Sequence, residues 1–310
     1  MDLRQLQALL AVAEHHSFSA AARSLHTVQS NVSTHVARLE REVGAVLIDR
    51  ERSELTTEGA VVAGRARRMI AELRAIEDDL VALRDELSGS VRAGVIGTTA
   101  RWLVPALLDA ATQKHPRVNL QIMEATTTSL VPQLLSDRLD IAVVNFPVLD
   151  PDIDTEPLFL EDRIIVAPLS HPLAEYKRVD IADLADHEIL LPPKGTAFRD
   201  EIDSDARQAR VKLSIRAEVD GLRLLSSLAF QGFAPALVPA SAAPEWLDGD
   251  FRRVPVDGFS RREVGFAVRR RFAPSAPTRA VAKLIRAAVA ANGADQGGLT
   301  PAPRTGADIA

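Results

Sequence analysis

Seven polar side chains share one predicted helix face near the N-terminus: Gln29, Ser30, Asn31, Ser33, Thr34, His35 and Arg38. Most are short or planar hydrogen-bonding groups, suited to the base edges and phosphates of duplex DNA. Arg50 and Arg52 follow in a polar tip over 49–57, where a wing reaches backbone or minor groove. The competing reading of the same residues is an ordinary solvated helix face.

A second set follows the predicted strands of an α/β region. In wound sheets small ligands bind beyond the carboxyl ends of strands, where helix N-termini present free N–H groups. Thr98 and Thr99 follow the first strand, Thr127 and Thr128 the second, and Asn145 and Phe146 the third. Thr196, Arg199 and Asp220 are expected to face them from a second lobe. Hydroxyls, backbone N–H groups and one arginine favour a small carboxylate or another organic anion. Asp220 either excludes anions or selects an amine. Thr98, Thr99 and Thr128 read equally well as helix caps.

Catalysis has no such constellation. The seven histidines (15, 16, 26, 35, 115, 171 and 187) show no metal-ligand spacing, and there is no G-x-S-x-G, P-loop or G-x-G-x-x-G. The absence of cysteine rules out disulfides, thiolate metal sites and cysteine nucleophiles. No catalytic residue, metal or cofactor is expected.

The candidate residues need elements to hold them. Leu3, Leu6, Leu9, Leu10 and Ala13 recur at helical spacing, and Phe18–Leu25 gives a short second helix. After a break at His26-Thr27, a third runs from about Val28 to Val43, burying Val32, Val36, Leu39 and Val43. A short helix, a tight break and a second helix with a polar outer face make helix-turn-helix geometry. Gly44 suits a left-handed helix end, and Ala45–Ile48 predicts a small strand. From Glu58 to Leu87 the apolar residues Val62, Ala66, Met69, Leu73, Ile76, Leu80, Leu83 and Leu87 alternate spacings of four and three. That is a heptad seam. So narrow a stripe favours pairing with a second copy over packing on its own domain. Val62, Met69, Leu73, Ile76, Leu80 and Leu83 are the expected contacts.

Ser88-Gly89-Ser90 reads as a linker. Beyond it, strands over 91–97, 119–124 and 141–146 alternate with helices carrying Leu103, Leu107 and Leu108, then Leu130, Leu134 and Leu135. Such a series predicts a mostly parallel sheet. Further strands over 163–167, 188–191, 213–219, 236–238 and 264–268, with helices over 222–230 and 278–290, predict a second lobe. The expected crossings lie near Ala167 and Phe266.

The expected plan is therefore an N-terminal winged helix-turn-helix (1–58), mainly α, and a long linker helix (59–87). A two-lobed α/β effector domain like the periplasmic binding proteins follows over 88–290. Lobe I takes about 91–166 and 267–290, lobe II about 167–266, and 291–310 is a frayed tail.

Composition agrees with a globular, intracellular protein: of 310 residues 46% are hydrophobic and 25% charged. No apolar run approaches the roughly 20 residues that cross a bilayer, and the first residues do not read as a secretory signal. The net charge is −5, so nucleic-acid binding must rest on arrangement rather than total charge. Up to Arg68 the chain has nine Arg and no Lys against eight acidic groups, leaving that end the more suited to an anion.

The N-terminal segment resembles the LysR-type transcriptional regulators. The matching residues are Leu3-Arg4-Gln5-Leu6, Ser17 through His26, Gln29-Ser30-Asn31-Val32-Ser33, Arg38-Leu39-Glu40, Gly44, Leu55-Thr56 and Glu58-Gly59. At lower specificity the likeness continues through His171-Pro172-Leu173-Ala174 and Gly232–Pro239, and covers about 290 residues in all. Two positions depart from it. Val28 stands where Ser or Thr is usual, shifting N-cap duty to Thr27 or moving the helix start. The wing, Arg50-Glu51-Arg52, is about two residues short and leaves open which arginine meets DNA.

The resemblance implies a cytoplasmic, homo-oligomeric regulator of promoter DNA whose DNA bending and contact with RNA polymerase respond to an inducer between the lobes. A dimer is the smallest assembly, and a tetramer bending the DNA between two site regions is what the family implies. The alternative is a two-lobed small-molecule binding protein or enzyme without DNA binding.

Overall fold

The computed structural model describes residues 1–82, 87–270, 273–293 and 295–302. The chain divides into two compact units.

The N-terminal unit contains α1 (Leu3–His15), α2 (Phe18–Ser24), α3 (Gln29–Val43), the strands β1 (Ile48–Asp49) and β2 (Glu54–Leu55), and α4 (Thr57–Ala82). Asp2 caps α1 in a reciprocal box with Gln5, and Ser17 caps α2 by accepting from the Ala20 N–H. Gln5 is buried and donates to Glu42, which ties α1 to α3. Leu6, Leu9, Val12, Val32, Val36, Leu39, Leu47 and Ile48 form one core. His26 takes a left-handed φ of 51° in the turn between α2 and α3. Gly44 ends α3 at φ 74°.

Three local readings change. Val28 itself is the N-cap of α3 and offers no side-chain hydrogen bond; the Thr27 hydroxyl instead accepts from Asn31. The strand expected over Ala45–Ile48 is confined to Ile48–Asp49, antiparallel to Glu54–Leu55. Val43, expected in the core, is exposed.

The first turns of α4 belong to the same core through Ala63 and Ala66, with Val62 packed beside them. Further along, Met69, Leu73, Ile76 and Leu80 are each about half exposed (49%, 45%, 58% and 56%). Leu83 lies outside the described residues. Leu87 is not helical, so the seam ends before it, and the expected linker is shortened because β3 begins at Gly89.

In the second unit, β3 (Gly89–Val95), α5 (Gly97–Lys114), β4 (Val118–Glu124), α6 (Thr127–Leu135) and β5 (Ile141–Asn145) form the expected βαβαβ series. β6 (Ile153–Glu161) then completes the outward path, and β7 (Arg163–Pro168) opens lobe II. That lobe holds β8 (Val179–Asp180), β9 (Glu188–Leu191), α7 (Ala197–Gln208), β10 (Ser214–Glu218), α8 (Leu222–Phe230), β11 (Ala236–Pro239) and β12 (Phe251–Asp257). The chain returns through β13 (Arg262–Arg269), α9 (Ala276–Asn292) and β14 (Leu299–Pro301).

One six-stranded sheet runs β14-β6-β13-β5-β3-β4 and the other β10-β9-β11-β7-β12-β8. The sheets are mixed rather than mostly parallel. β13 runs antiparallel to β5 and β6, and β7 antiparallel to β11 and β12. Crossings occur at Asp162 and at 258–261 instead of Ala167 and Phe266, so 163–168 lies in lobe II and 262–266 in lobe I. The expected frayed tail holds β14, which pairs with β6. Among the described residues no helix is long and apolar enough to cross a membrane.

Gly59 has a specific reason to be glycine. A methyl group there would collide with the Leu47 backbone carbonyl, which cannot swing away as a side chain can. Gly59→Ala should therefore cost about 1–3 kcal/mol, read as a lower urea midpoint for loss of helical signal. An unchanged midpoint would show that this approach does not constrain α4.

Candidate functional site

The outer face of α3 is uncovered within its own unit. Gln29, Ser30, Asn31, Thr34 and Arg38 are exposed, and Ser33 and His35 half-buried. Local bonds pre-arrange them. Ser19 donates to Gln29 at 2.8 Å, Asn31 to Thr27 at 3.0 Å, and Thr34 to the Ser30 carbonyl at 2.8 Å. Arg38 is paired only loosely with Glu42, at 3.4 Å and largely in solvent.

Glu40 fixes the wing to this helix. Its Oε1 accepts the N–H groups of Leu47 (2.9 Å) and Ile48 (3.2 Å), and Oε2 faces Arg50 at 3.4 Å. Arg50 also reaches Ser33 and lies over the Phe18 ring, 5.8 Å from its centroid. It is folded back against the unit. Arg52 is exposed at the wing tip, with its backbone N–H held by Asp49. Sequence reasoning had no signal that separated the two arginines.

In the second unit two of the expected residues meet at a third that was not foreseen, and one more joins through them. Buried Arg262 opens β13 and donates to Asn145 Oδ1 (2.5 Å), Thr98 Oγ1 (3.2 Å) and Glu161 Oε2 (3.2 Å). The Asn145 N–H donates to Thr127 Oγ1 at 3.0 Å, adding α6 to the chain of contacts. Glu161 also accepts from the Ser241 N–H of lobe II at 2.6 Å. The carboxyl ends of the lobe I strands are thus tied to the crossover and to lobe II. Burial pulls the Arg262 pKa below the usual arginine value, and Glu161 opposes it most strongly. The available signal was the charged run Glu161-Asp162-Arg163 matched by Arg261-Arg262.

The remaining expected residues do not join this group. Arg199 is buried and bound to Asp203, Glu218 and the Pro192 carbonyl, each at 2.8 Å, so it is not the free cation its type suggested. Thr196 donates to the Pro193 carbonyl, Thr128 pairs with Thr126, and exposed Asp220 accepts the Gly221 N–H. Phe146 is half-buried and packs where Gly265 has no side chain. Thr99 is fully buried with its hydroxyl unpaired among the described residues. Among those residues no cluster of three metal-binding side chains occurs.

Comparison with known proteins covers both units. Residues 3–60 match the model for the bacterial regulatory helix-turn-helix proteins of the lysR family, and residues 84–290 that for the LysR substrate binding domain. A probable hydrogen peroxide-inducible genes activator of Mycobacterium leprae is 32% identical over 291 residues, covering 90% of this chain and 92% of its own. A full-length CbnR complexed with its target DNA superposes with TM-score 0.67 at 26% identity, over 93% of this chain and all of that one. A full-length Pseudomonas aeruginosa OxyR, with a cysteine replaced by aspartate, gives TM-score 0.76 at 24% identity, over 93% and 94% of the two chains; this likeness is one of fold.

Removing one partner of a buried pair is costlier than removing both. Arg262→Met leaves Glu161 charged and buried, and should destabilise the second unit by about 3–5 kcal/mol. Adding Glu161→Gln should recover part of that loss in a double-mutant cycle of thermal melts. Additive effects would mean that the two side chains are not coupled.

Proposed function

The chain belongs to the LysR family of bacterial transcriptional regulators, and on that premise we propose that it reads promoter DNA as a paired molecule under the control of a small organic anion. The uncovered polar face of α3 carries this reading. Gln29, Ser30, Asn31, Ser33, Thr34, His35 and Arg38 enter the major groove, with the planar and hydroxyl groups on base edges and Arg38 on base or phosphate. Arg52 makes the wing contact, while Arg50 braces the wing to α3.

The half-exposed stripe Met69, Leu73, Ile76 and Leu80 packs against the same stripe of a second copy. Two recognition helices then meet half-sites about 34–36 Å apart. Paired dimers bending the DNA between two site regions, and a contact with RNA polymerase, extend the same reading. The cytoplasm, where promoter DNA lies, is the matching compartment.

Inducer binding at the seam between the lobes supplies the control. Thr98 and Asn145, held by Arg262, and Thr127, bonded to the Asn145 N–H, line its lobe I side. Several relatives are named as hydrogen peroxide-inducible genes activators or probable ones. This chain has no cysteine, so a thiol–disulfide switch is unavailable to it. That favours reversible binding of an anion, which must prefer one arrangement of lobes or subunits to switch anything.

Four measurements test this reading. The full chain should retard its own upstream DNA in a gel, with mobility or affinity altered by a subset of small organic acids; a chain that retards no upstream DNA contradicts it. Arg52→Ala should weaken binding to all sequences alike and flatten the salt dependence by about one unit of slope. Arg38→Ala should weaken specific binding, and an unchanged gel would remove it from the interface. Leu73→Glu with Leu80→Glu places like charges in mid-seam, and sedimentation should show dissociation. A persistent dimer would mean that the pairing surface lies elsewhere.

A further inference from the structure

An ion pair spans the seam between the two lobes. Glu124 is the last residue of β4 in lobe I, and Arg223 is the second residue of α8 in lobe II. Glu124 Oε1 lies 2.6 Å from Arg223 Nη2, with both side chains well exposed to solvent. The same carboxylate rests against Gly97, the first residue of α5. A methyl group there would come within 2.8 Å of Glu124 Oε1 and 3.6 Å of Arg223 Nε, so the missing side chain makes the seat.

A second arginine stands at the same corner. Arg101, one turn along α5, lies over the Trp246 ring at 5.2 Å. Burial, and then the charge of Arg223, lower its pKa, so the two guanidinium groups sense one another. Thr99 adds a fully buried hydroxyl, unpaired among the described residues, in the same first turn. The positive end of α5 also favours an anion here.

We propose that Glu124 is a built-in place-holder for the inducer's carboxylate. A small organic carboxylate takes its position on Arg223 and so opens the ion pair that bridges the lobes. This rests on the effector reading above and adds the exchange that would couple binding to lobe movement. A guanidinium fork accepts either carboxylate in the same planar geometry. Solvent-exposed ion pairs contribute little, so the internal pair yields readily and the released Glu124 returns to water. Competition from Glu124 lowers apparent affinity for any anion that cannot match a carboxylate on Arg223.

Chemical rescue on the full chain tests the exchange. Glu124→Ala empties a carboxylate-sized position that acetate can fill. Sodium acetate, compared with sodium chloride at equal ionic strength, should raise the melting temperature of this variant saturably. A rise of about 2–4 °C at five times the Kd is what one occupied site gives a chain of this size. Wild type should need several-fold more acetate, and Glu124→Ala with Arg223→Gln should show no acetate-specific rise. Glu124→Gln, which keeps the side-chain volume, should respond in the same direction and serves if the alanine variant does not fold. The proposal is overturned if neither variant responds, if wild type responds equally, or if the response survives loss of Arg223. DNA retardation by the wild type, with and without organic acids, is scored separately. Failure there with the acetate response intact contradicts the effector reading and leaves the carboxylate seat standing.

Discussion

An apolar stripe on a long helix cannot face water without cost, and this constraint shapes the N-terminal unit. The first turns of α4 are satisfied by their own core through Ala63 and Ala66. From Met69 to Leu80 the same seam continues with four large side chains about half exposed. Full burial of such a side chain is worth about 1.5–3 kcal/mol, so roughly 1 kcal/mol per residue is left to gain on each helix. A second copy offers the same stripe in the same register, which is the geometry a heptad repeat specifies. Pairing would also duplicate the recognition face, and a dyad-related site is what two such faces read.

Rigidity on the polar side comes from few interactions. The Glu40 carboxylate accepts two wing N–H groups and holds Arg50, so α3 and the wing are fixed to one another. In the second unit Arg262 does comparable work by gathering Thr98, Asn145 and Glu161. Each is a charged side chain satisfied by several partners. Such a group orders its neighbours more than it adds net stability.

Local pattern was legible in the sequence wherever one element buries one face. The helices α1 to α4 follow from Leu, Val and Ala spacing, and the βαβαβ core follows from apolar runs between polar turns. β6 and β12 were hidden because Pro157 and Pro255 interrupt them and charged residues break their alternation. β14 escaped because three residues among Gly and Pro show no period. The crossings were misplaced by a few residues for the same reason: the apolar runs of β7 and β13 mark strand centres, not the chain's passage between sheets. Thr98, Thr127 and Asn145, singled out from their place after strands, fall in one hydrogen-bond network. Arg199 was misjudged because residue type does not reveal burial; Asp203 sits one helical turn away, but Glu218 comes from another strand. Arg262 was missed because its three partners are distant in the chain.

The central claim is that two recognition faces, joined by the α4 stripe, read one DNA site. Hydroxyl-radical footprinting of the chain's upstream DNA tests it most directly. The account predicts at least two protected patches related by a dyad and centred about one helical turn apart. A single protected patch at saturating protein, with no symmetry-related companion, would contradict it.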